Sequence, residues 1–403
     1  MLKIISSLVL TASLGSICVQ IAAQNLIPYH QGTKWGFADA TKKVVVTPIY
    51  DAAEPMQGGI AAIGLMQNNQ IKFGFIDATG KVLVPPKYDE VWSAQSGFAA
   101  VKLAGKWGFI DVTGKEVIVP QYETATSFSE GFATVKLNGK SGFIDTAGKP
   151  FSLFNYEAVE PFKNGFARVK RTSRWGYINT KGKEIIPVKY AQTFDFQSGI
   201  AMVANFDKRG YINTEGKEIV ACSLDRAENF SEDLAGALKT EIVGGKTVYK
   251  WGFYDKNGTV KIPFQYDNKV YGSFVNGLAP VSVAGKWGYT NTSGALQIAA
   301  KFDLAHNFCS NGAARAMQSG KLGLINKSGA WLAQAIYTDI DVFQSGLARA
   351  TRASKMGFLN EQGKEVIECK YAKTDNFNNG IAKVYAEDGA LLGYINTEGT
   401  EFF

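Results

Sequence analysis

Residues that could carry catalysis are few and scattered in this chain. The 403 residues include two histidines, His30 and His306. Neither lies in a recognisable motif, so a Ser-His-Asp arrangement would depend on a single residue. Two pairs of carboxylates could imitate the two acids of a glycosidase, namely Glu228 with Glu232 and Asp339 with Asp341. Because acids on hydrated loops are the ordinary case, the sequence predicts a non-catalytic protein without a cofactor.

Metal chemistry has equally little support in the sequence. Asp or Asn recurs with Gly three residues later, as in Asp111 and Gly114, and a calcium loop is one interpretation of that spacing. Many copies carry Asn instead of Asp, however, and no cluster of carboxylates accompanies them. The pattern therefore predicts a hairpin turn without a metal site, in which Asp or Asn bonds the backbone and Gly supplies a positive φ.

The cysteines downstream of the first 23 residues are Cys222, Cys309 and Cys369. They lie far apart in the chain, and their odd number leaves at least one free thiol, so no structural disulfide is expected. Cys222 and Cys369 take the position that Pro48 holds in another copy of the repeat described next. This equivalence indicates a small buried side chain rather than a reactive site.

One repeated motif must supply the elements that position any site. A bulky or aromatic residue precedes Gly and a second aromatic, followed by Asp or Asn and usually Gly-Lys, as in KWGFIDVTGKEVIVPQYE from Lys106. The step from Gly108 to Gly142 is 34 residues, and it recurs wherever nothing has been inserted. A fixed period of this size predicts stacked or ring-like repeats that bury apolar surface against their neighbours. The motif glycines are Gly36, Gly74, Gly108, Gly142, Gly176, Gly210, Gly252, Gly288, Gly323, Gly357 and Gly393.

Each repeat is predicted to contain three short strands, which are residues 107–111, 116–120 and 132–137 in the clearest copy. Tyr122 and its equivalents close the second strand and imply an apolar stack. A Phe-x-x-Gly-x-Ala pattern precedes the third strand, and Asp233 replaces its Gly in one copy. Since Asp tolerates a left-handed backbone, a positive φ is expected there too.

The repeats predict an all-β array of about eleven three-stranded units over residues 24–403. A curved solenoid or superhelix is the preferred architecture, because propellers have fewer and longer repeats. The alternative is one or two propeller-like rings. The step from Gly210 to Gly252 is longer than the others, which suggests a subdivision near residues 236–250.

The first residues predict export. Lys3 precedes an apolar run that ends in small residues, so residues 1–23 are read as a signal peptide. No second stretch reaches membrane length, and a mature chain without a transmembrane span is expected in the periplasm, at the cell surface or outside the cell. The net charge is +7, with the cations spread over the repeats rather than in blocks. This distribution argues against a nucleic-acid partner.

Candidate contact residues lie where the repeat pattern is broken. Leu322 and Met356 replace the motif tryptophan in two copies, so that position is assigned to packing and not to ligand stacking. Residues 240–249 interrupt the period as a lengthened hairpin with a Gly-Gly turn, and residues 66–72 form a shorter extension. Insertions in repeat arrays often lie on the binding face. The predicted contact residues are Trp92, Trp331, Ile242, Val243, Lys246 and Tyr249.

The repeated segments KWGFID and RWGYIN resemble the WG repeat family, also called KWG repeats, found in many secreted bacterial proteins. The resemblance covers essentially the whole chain after the signal. It implies a β-rich repeat protein with no generally assigned activity or cofactor, so no functional residues are carried over. The resulting hypothesis is a scaffold that binds envelope proteins. Binding of cell-wall glycan such as peptidoglycan is the alternative, a hydrolase is less favoured, and the oligomeric state is open.

Overall fold

The repeated motif folds into small antiparallel sheets. The computed structural model describes residues 26–151, 154–267 and 272–403, and the predicted signal peptide at 1–23 lies outside them. The described residues form eleven sheets and contain no helix, which confirms the all-β prediction. Each sheet, called a blade here and numbered in chain order, is built from consecutive strands of the chain.

The strands are short, and each blade has three or four of them. Blades 1 to 6 contain β1 (Ile27–Gln31), β2 (Lys34–Ala38) and β3 (Val44–Tyr50); β4 (Ala52–Ala53), β5 (Ile60–Gln67), β6 (Gln70–Asp77) and β7 (Val82–Tyr88); β8 (Glu90–Val91), β9 (Phe98–Leu103), β10 (Lys106–Asp111) and β11 (Glu116–Tyr122); β12 (Thr124–Ala125), β13 (Phe132–Leu137) and β14 (Lys140–Asp145); β15 (Ala158–Val159), β16 (Phe166–Arg171), β17 (Arg174–Asn179) and β18 (Glu184–Tyr190); β19 (Gln192–Thr193), β20 (Ile200–Asn205), β21 (Lys208–Asn213) and β22 (Glu218–Leu224). Blades 7 to 11 contain β23 (Arg226–Ala227), β24 (Leu234–Val243), β25 (Lys246–Asp255) and β26 (Val260–Tyr266); β27 (Leu278–Val283), β28 (Lys286–Asn291) and β29 (Leu296–Phe302); β30 (Leu304–Phe308), β31 (Ala314–Gln318), β32 (Lys321–Ile325) and β33 (Trp331–Tyr337); β34 (Asp339–Ile340), β35 (Leu347–Arg352), β36 (Lys355–Asn360) and β37 (Glu365–Tyr371); β38 (Lys373–Thr374), β39 (Ile381–Tyr385), β40 (Leu391–Asn396) and β41 (Glu401–Phe402).

The predicted three strands per repeat are confirmed, and a fourth was missed. The additional strand begins most blades and comprises two residues, as in β8 or β12, except in blade 9, where β30 has five. Two residues of pairing are too short to leave an alternating pattern in the sequence. A blade therefore combines this short strand and the third strand of one repeat with the first two strands of the next.

The motif glycine is required by a close approach of two backbones. In blade 3 the register between β10 and β11 shifts between Trp107 and Phe109, across Gly108, and again between Phe109 and Ile110. A Cβ atom placed on Gly108 would lie 2.3 Å from the carbonyl oxygen of Ile118 and 2.6 Å from the nitrogen of Pro120. No other residue fits this position without displacing backbone atoms.

The Asp or Asn turn has the predicted chemistry. The Asp111 carboxylate accepts hydrogen bonds from the Thr113 amide at 2.9 Å and its hydroxyl at 2.6 Å, and from the Lys115 amide at 3.1 Å. These bonds hold the pKa of Asp111 below its usual value, chiefly through the Thr113 hydroxyl. Even the copy with Lys42 in the Gly position keeps a positive φ of 68°. The turn interpretation is confirmed.

The turns before each third strand face their equivalents in neighbouring blades. Asp233 has the predicted positive φ, at 67°. Ser129 donates its hydroxyl to the carbonyl oxygen of Phe162 at 2.7 Å, and Glu130 accepts from the Asn164 amide at 2.6 Å. Equivalent points of neighbouring blades are closest near the axis of a ring. These turns and the two-residue strands therefore lie on the inner side, and the last strand of each blade lies on the outer side.

The core lies between blades. Trp107, Phe109 and Tyr122 of blade 3 pack with Phe128 and Val135 of blade 4, and all five are buried. The motif tryptophan is thus a packing residue in this copy, as predicted. Equivalent clusters join the other blades, which is how each repeat buries apolar surface that it cannot cover alone.

The chain closes into one ring, so the preferred solenoid was wrong and the propeller-like alternative is correct. His30 of blade 1 donates from Nε2 to the carbonyl oxygen of Leu392 in blade 11 at 2.5 Å. Trp35 packs against Tyr394 with ring centroids 6.1 Å apart, and Ile27 shares a buried cluster with Phe402. The solenoid prediction rested on the four to eight blades of ordinary propellers, whereas this ring contains eleven sheets in the described residues.

Candidate interaction surfaces

An acidic residue at each of several blade junctions holds neighbouring blades in register. Asp51 accepts from Lys34 of blade 1 at 2.7 Å and from the Met66 amide of blade 2 at 2.7 Å. The bond from Lys34 is the main reason that the pKa of Asp51 lies below its usual value. The lysine of the KWG motif is therefore an inter-blade contact. The constant spacing of 17 residues between the lysine and its acid could have revealed this role.

The same type of junction positions a protruding hairpin. Asp225 accepts from Lys208 of blade 6 and from Thr240 of blade 7, and the bond from Lys208 is the largest cause of its lowered pKa. Thr240 begins the part of β24 that extends beyond the blade. The turn at Gly244 and Gly245 has φ values of 58° and 75°, so the predicted lengthened hairpin with a Gly-Gly turn is present.

Apolar side chains near the end of this hairpin are exposed to solvent. Ile242 is 78% exposed, Val243 60% and Tyr249 42%, and Lys246 is exposed beside them. Thr240 pairs with Tyr249 and Val243 pairs with Lys246, so Ile242 and Tyr249 share one face of the hairpin and Val243 lies on the other. The hairpin presents apolar surface on both faces with a cation at its tip.

Phe206 is an exposed aromatic residue that the sequence reasoning missed. It is 87% exposed in the β20–β21 turn of blade 6, the equivalent of the long hairpin turn in blade 7. Its φ is 54°, which is unfavourable for a bulky side chain. The other copies carry Gly, Asn, Ala, Ser or Thr at the first position of this turn. This difference from the other copies is the sequence feature that could have identified Phe206 as a contact residue.

Phe206, Ile242, Val243, Lys246 and Tyr249 are together called the hairpin patch. A cleft of about 500 Å³ adjoins the patch at Tyr249, and its other lining residues are Asp225, Arg226, Leu238 and Thr240. The junction at Asp225 fixes the relative position of the two hairpins that carry the patch. Four of the six predicted contact residues therefore lie on one hairpin, and Phe206 lies on the equivalent hairpin of the neighbouring blade.

The other predicted contact residues lie elsewhere on the ring. Trp92 is 41% exposed, packs against Trp107 with centroids 5.3 Å apart, and lines a pocket of about 480 Å³ with Phe73, Glu54 and Glu90. Trp331 is half-buried at the start of β33. It packs edge-on against Phe302 of the preceding blade with centroids 5.6 Å apart. The shorter extension at 66–72 carries Met66, which is exposed.

A second pocket adjoins the Trp92 pocket and is lined by residues of blades 2, 3 and 11. It has a volume of about 270 Å³ and shares Glu54 and Ser93 with its neighbour. Asp375 and Lys383 of blade 11 complete its charged lining, and Lys383 Nζ lies 3.9 Å from Glu54 Oε2. The two adjoining pockets extend from blade 11 to blade 3.

The residues first considered for catalysis are in structural contacts. Burial raises the pKa of Glu228, whereas Glu232 accepts from the Asn276 amide of the next blade at 2.6 Å. Asp341 pairs with Arg349 at 2.6 Å, and burial lowers the pKa of His306. In the described residues, no three His, Cys, Asp or Glu side chains converge as a metal site.

The described cysteines, Cys222, Cys309 and Cys369, are free and half-buried. Burial raises the pKa of Cys222 and Cys369, which disfavours the reactive thiolate. Within the described ranges, nothing has the helical length and apolarity needed to cross a bilayer. The predicted subdivision at 236–250 falls inside β24 and β25, within blade 7.

The closed ring of inter-blade cores defines a repeat protein with a β-propeller arrangement. The chain belongs to the family of WG containing repeats, which matches it at ten places. The matched residues are 35–65, 73–107, 107–140, 142–172, 175–205, 210–240, 251–287, 287–321, 323–355 and 356–388. The family resemblance seen in the sequence is thereby confirmed.

Several solved structures resemble the ring at low identity. A crystal structure of the eukaryotic initiation factor has 10% identity and a TM-score of 0.41 over 93% of this chain and 96% of that one. The tricorn protease has 11% identity and a TM-score of 0.30 over 93% and 45%. Kluyveromyces lactis Hsv2 has 9% identity and a TM-score of 0.28 over 72% and 89%. No curated protein matches the chain. These likenesses bring no activity or partner to this protein.

Proposed function

We propose that this protein is a non-catalytic scaffold that binds another protein through the hairpin patch. The observation that carries the proposal is the exposure of Phe206, Ile242 and Val243 on two neighbouring hairpins whose bases both bond Asp225. Exposed apolar clusters with a polar rim are typical of interaction sites. Lys246 and Glu241 are exposed beside the apolar side chains of the long hairpin, and Asp207 is exposed beside Phe206. The partner surface is therefore chiefly apolar, with charges of both signs at its edge.

The backbone at Phe206 supports the same proposal. A bulky residue at positive φ costs about 1 kcal/mol relative to an allowed region, and Phe206 makes little packing contact in return because it is 87% exposed. Strained, exposed side chains occur preferentially at binding sites. An aromatic anchor here gains its stabilisation when a partner covers it.

The proposed location follows from the sequence. Residues 1–23 have the charge and apolar run of a signal peptide, which supports export to the periplasm or cell surface. Envelope proteins are then the available partners. Many shallow contacts on a rigid ring would provide affinity without a deep pocket.

The test is a crosslinking pull-down from envelope extract, followed by titration of the purified captured protein. Phe206→Asn keeps a residue that tolerates positive φ, and the double variant I242K/V243K removes the apolar tip. Each is expected to weaken binding at least tenfold, while circular dichroism and the melting temperature stay near the unaltered values. Met66→Lys is the matched control, since Met66 is an exposed apolar residue on another hairpin. Equal binding by all variants, or equal loss with M66K, contradicts the proposal.

The Trp92 pocket supports a second candidate function, glycan binding. An exposed indole beside Glu54 and Glu90 offers a stacking face and acceptors for sugar hydroxyls. Trp92→Ala is then expected to reduce co-sedimentation with peptidoglycan at least tenfold, whereas F206N leaves it unchanged. Protein capture that resists wall hydrolase and depends on Phe206 but not Trp92 would instead support the scaffold alone.

A further inference from the structure

Two side chains of blade 5 hold the short first strand of blade 6. The Arg168 guanidinium donates to the carbonyl oxygen of Thr193 at 3.0 Å, and the Tyr177 hydroxyl donates to that of Phe194 at 2.7 Å. Thr193 ends β19, and Phe194 follows it directly. One blade therefore binds two consecutive carbonyl oxygens of the segment that begins the next blade.

These two contacts recur at the same positions of other blades. The arginine contact returns as Arg315 to Ile340 and Arg349 to Thr374, and the tyrosine contact as Tyr211 to Glu228 and Tyr289 to His306. Each of these acceptors is a backbone carbonyl oxygen in the first strand of the next blade or directly after it. The arginine and its acceptor are 25 residues apart each time, and the tyrosine and its acceptor 17. Binding of a backbone carbonyl is therefore a property of these two repeat positions.

Blade 11 carries a donor at both positions, Lys383 and Tyr394. Lys383 stands just before the residue that pairs with the motif glycine, and Tyr394 directly after that glycine, as Arg168 and Tyr177 do in blade 5. Among the described residues, the Tyr394 hydroxyl has no hydrogen-bond partner, and Lys383 Nζ bonds no carbonyl oxygen but lies 3.9 Å from Glu54 Oε2 of blade 2. Burial raises the pKa of Tyr394, so its hydroxyl stays protonated and remains a donor.

Lys383 and Tyr394 line the pocket of about 270 Å³ together with Asn376. The Oδ1 atom of Asn376 is buried without a hydrogen-bond partner in the described part of the chain, so it can accept from an amide. Blade 1 lies between blades 11 and 2 in the ring, yet the pocket lining comes from blades 11, 2 and 3. The pocket therefore lies on the inner side of blade 1, at the position where blade 6 carries β19.

The mature chain is too short to place its own first strand in this pocket. β19 begins at Gln192, eight residues before β20 begins at Ile200. In blade 1, Leu26 stands as far before its motif glycine as Ile200 does in blade 6. Cleavage after residue 23, as predicted from the sequence, leaves two residues before Leu26. This step rests on the proposed export, whereas the positions of Lys383 and Tyr394 do not.

We propose that this pocket binds an extended peptide segment of another protein, which lies beside β1 as β19 lies beside β20. Two consecutive carbonyl oxygens of the segment accept hydrogen bonds from Lys383 and Tyr394. Addition of a strand to a sheet edge is a general mode of peptide recognition, in which main-chain hydrogen bonds supply the affinity. The other protein therefore needs an extended tail or loop, and few of its side chains are specified.

The backbone of β1 fits this role. In blade 6 the Phe194 amide donates to the carbonyl oxygen of Met202 at 3.1 Å, and Met202 precedes the residue that pairs with the motif glycine. Pro28 holds that position in β1, so its carbonyl oxygen is the equivalent acceptor. Within the described ranges, β1 pairs with β2 alone. Because Thr193 is buried in blade 6, a small or β-branched side chain is expected at the matching position of the bound segment.

The test is titration of a labelled synthetic peptide, YAQTFDFQ, against the purified mature chain by fluorescence anisotropy. The peptide has the sequence of residues 190–197, which contain β19. Tyr394→Phe removes the hydroxyl alone and is expected to weaken binding about fivefold, with little change in melting temperature. Lys383→Ala is expected to weaken binding about tenfold. Phe109 and Ala100 stand at the equivalent positions of blade 3, so the fold accepts both changes.

Tyr177→Phe is the matched control, since the Tyr177 hydroxyl bonds a carbonyl oxygen of its own chain. Y177F is expected to lower the melting temperature and to leave the affinity for the peptide unchanged. The hairpin variant F206N is expected to bind the peptide like the unaltered chain, so failure of this proposal is distinguishable from failure of the hairpin patch.

Three results overturn the proposal. The first is that the unaltered mature chain binds the peptide no better than a scrambled sequence of the same composition. The second is that Y394F and K383A bind the peptide as tightly as the unaltered chain. The third is that mass spectrometry finds residues 18–25 retained on the exported protein and that this protein binds no peptide, which assigns the pocket to the chain's own N-terminal residues.

Discussion

Replacing Gly108 with alanine is expected to lower the free energy of unfolding by about 3 kcal/mol, the upper part of the range for overpacked sites. The added methyl would stand 2.3 Å from the Ile118 carbonyl oxygen. Backbone atoms on both sides of the β10–β11 crossing would have to separate, which also disturbs the pairing of Trp107 with Tyr122. Guanidinium unfolding followed by tryptophan fluorescence measures the loss.

Gly142 provides the matched control in the next blade. A Cβ atom there meets the side chain of Phe154 at 2.8 Å and no backbone carbonyl among its nearest neighbours. The ring of a side chain can move where a backbone cannot. Gly142→Ala is expected to cost below about 1 kcal/mol. Equal destabilisation by the two variants would show that backbone crowding is not the reason for the motif glycine.

Acidification is expected to destabilise the ring from about pH 4 downward. Hydrogen bonds hold the pKa of Asp51, Asp89, Asp111 and Asp303 below the usual 3.8. A carboxyl whose pKa is lower in the folded state stabilises the protein above its unfolded pKa, and this contribution disappears as the pH falls through the folded value. Several junctions and turns lose stability together. The melting temperature measured between pH 7 and pH 2 should show this decline.

The Asp89→Asn variant identifies the contribution of one junction. Asp89 accepts chiefly from Lys72, and D89N is expected to be less stable at pH 7 by up to about 1 kcal/mol. The difference from the unaltered chain should shrink as the pH falls below about 4, because Asp89 itself becomes protonated. A difference that does not change with pH would assign the effect to packing. Glu228, whose pKa is raised by burial, acts in the opposite direction and makes the decline slightly shallower.

Local features could be read from the sequence because single residues determine them. Asp111 and Asp233 have side chains suited to particular turns, and both turns are present. Ring closure could not be read in this way, because the rotation between neighbouring blades results from many packing contacts and has no residue pattern. The hairpin with Ile242 was found because it breaks the period. Phe206 lies in a repeat of ordinary length and was therefore missed, although a phenylalanine is unusual at this position of a turn.

The way the ring closes has a consequence for how such proteins can change in size. Every described sheet takes its strands from one continuous stretch of chain, and blades 1 and 11 meet through side-chain packing without sharing a strand. Duplicating or deleting one stretch of about one repeat would therefore add or remove a whole blade and leave every other strand pairing intact. New chain ends could also be made at another blade junction, with the old ends linked, without dividing any sheet. Gene duplication and circular permutation are thus compatible with this architecture at almost any junction.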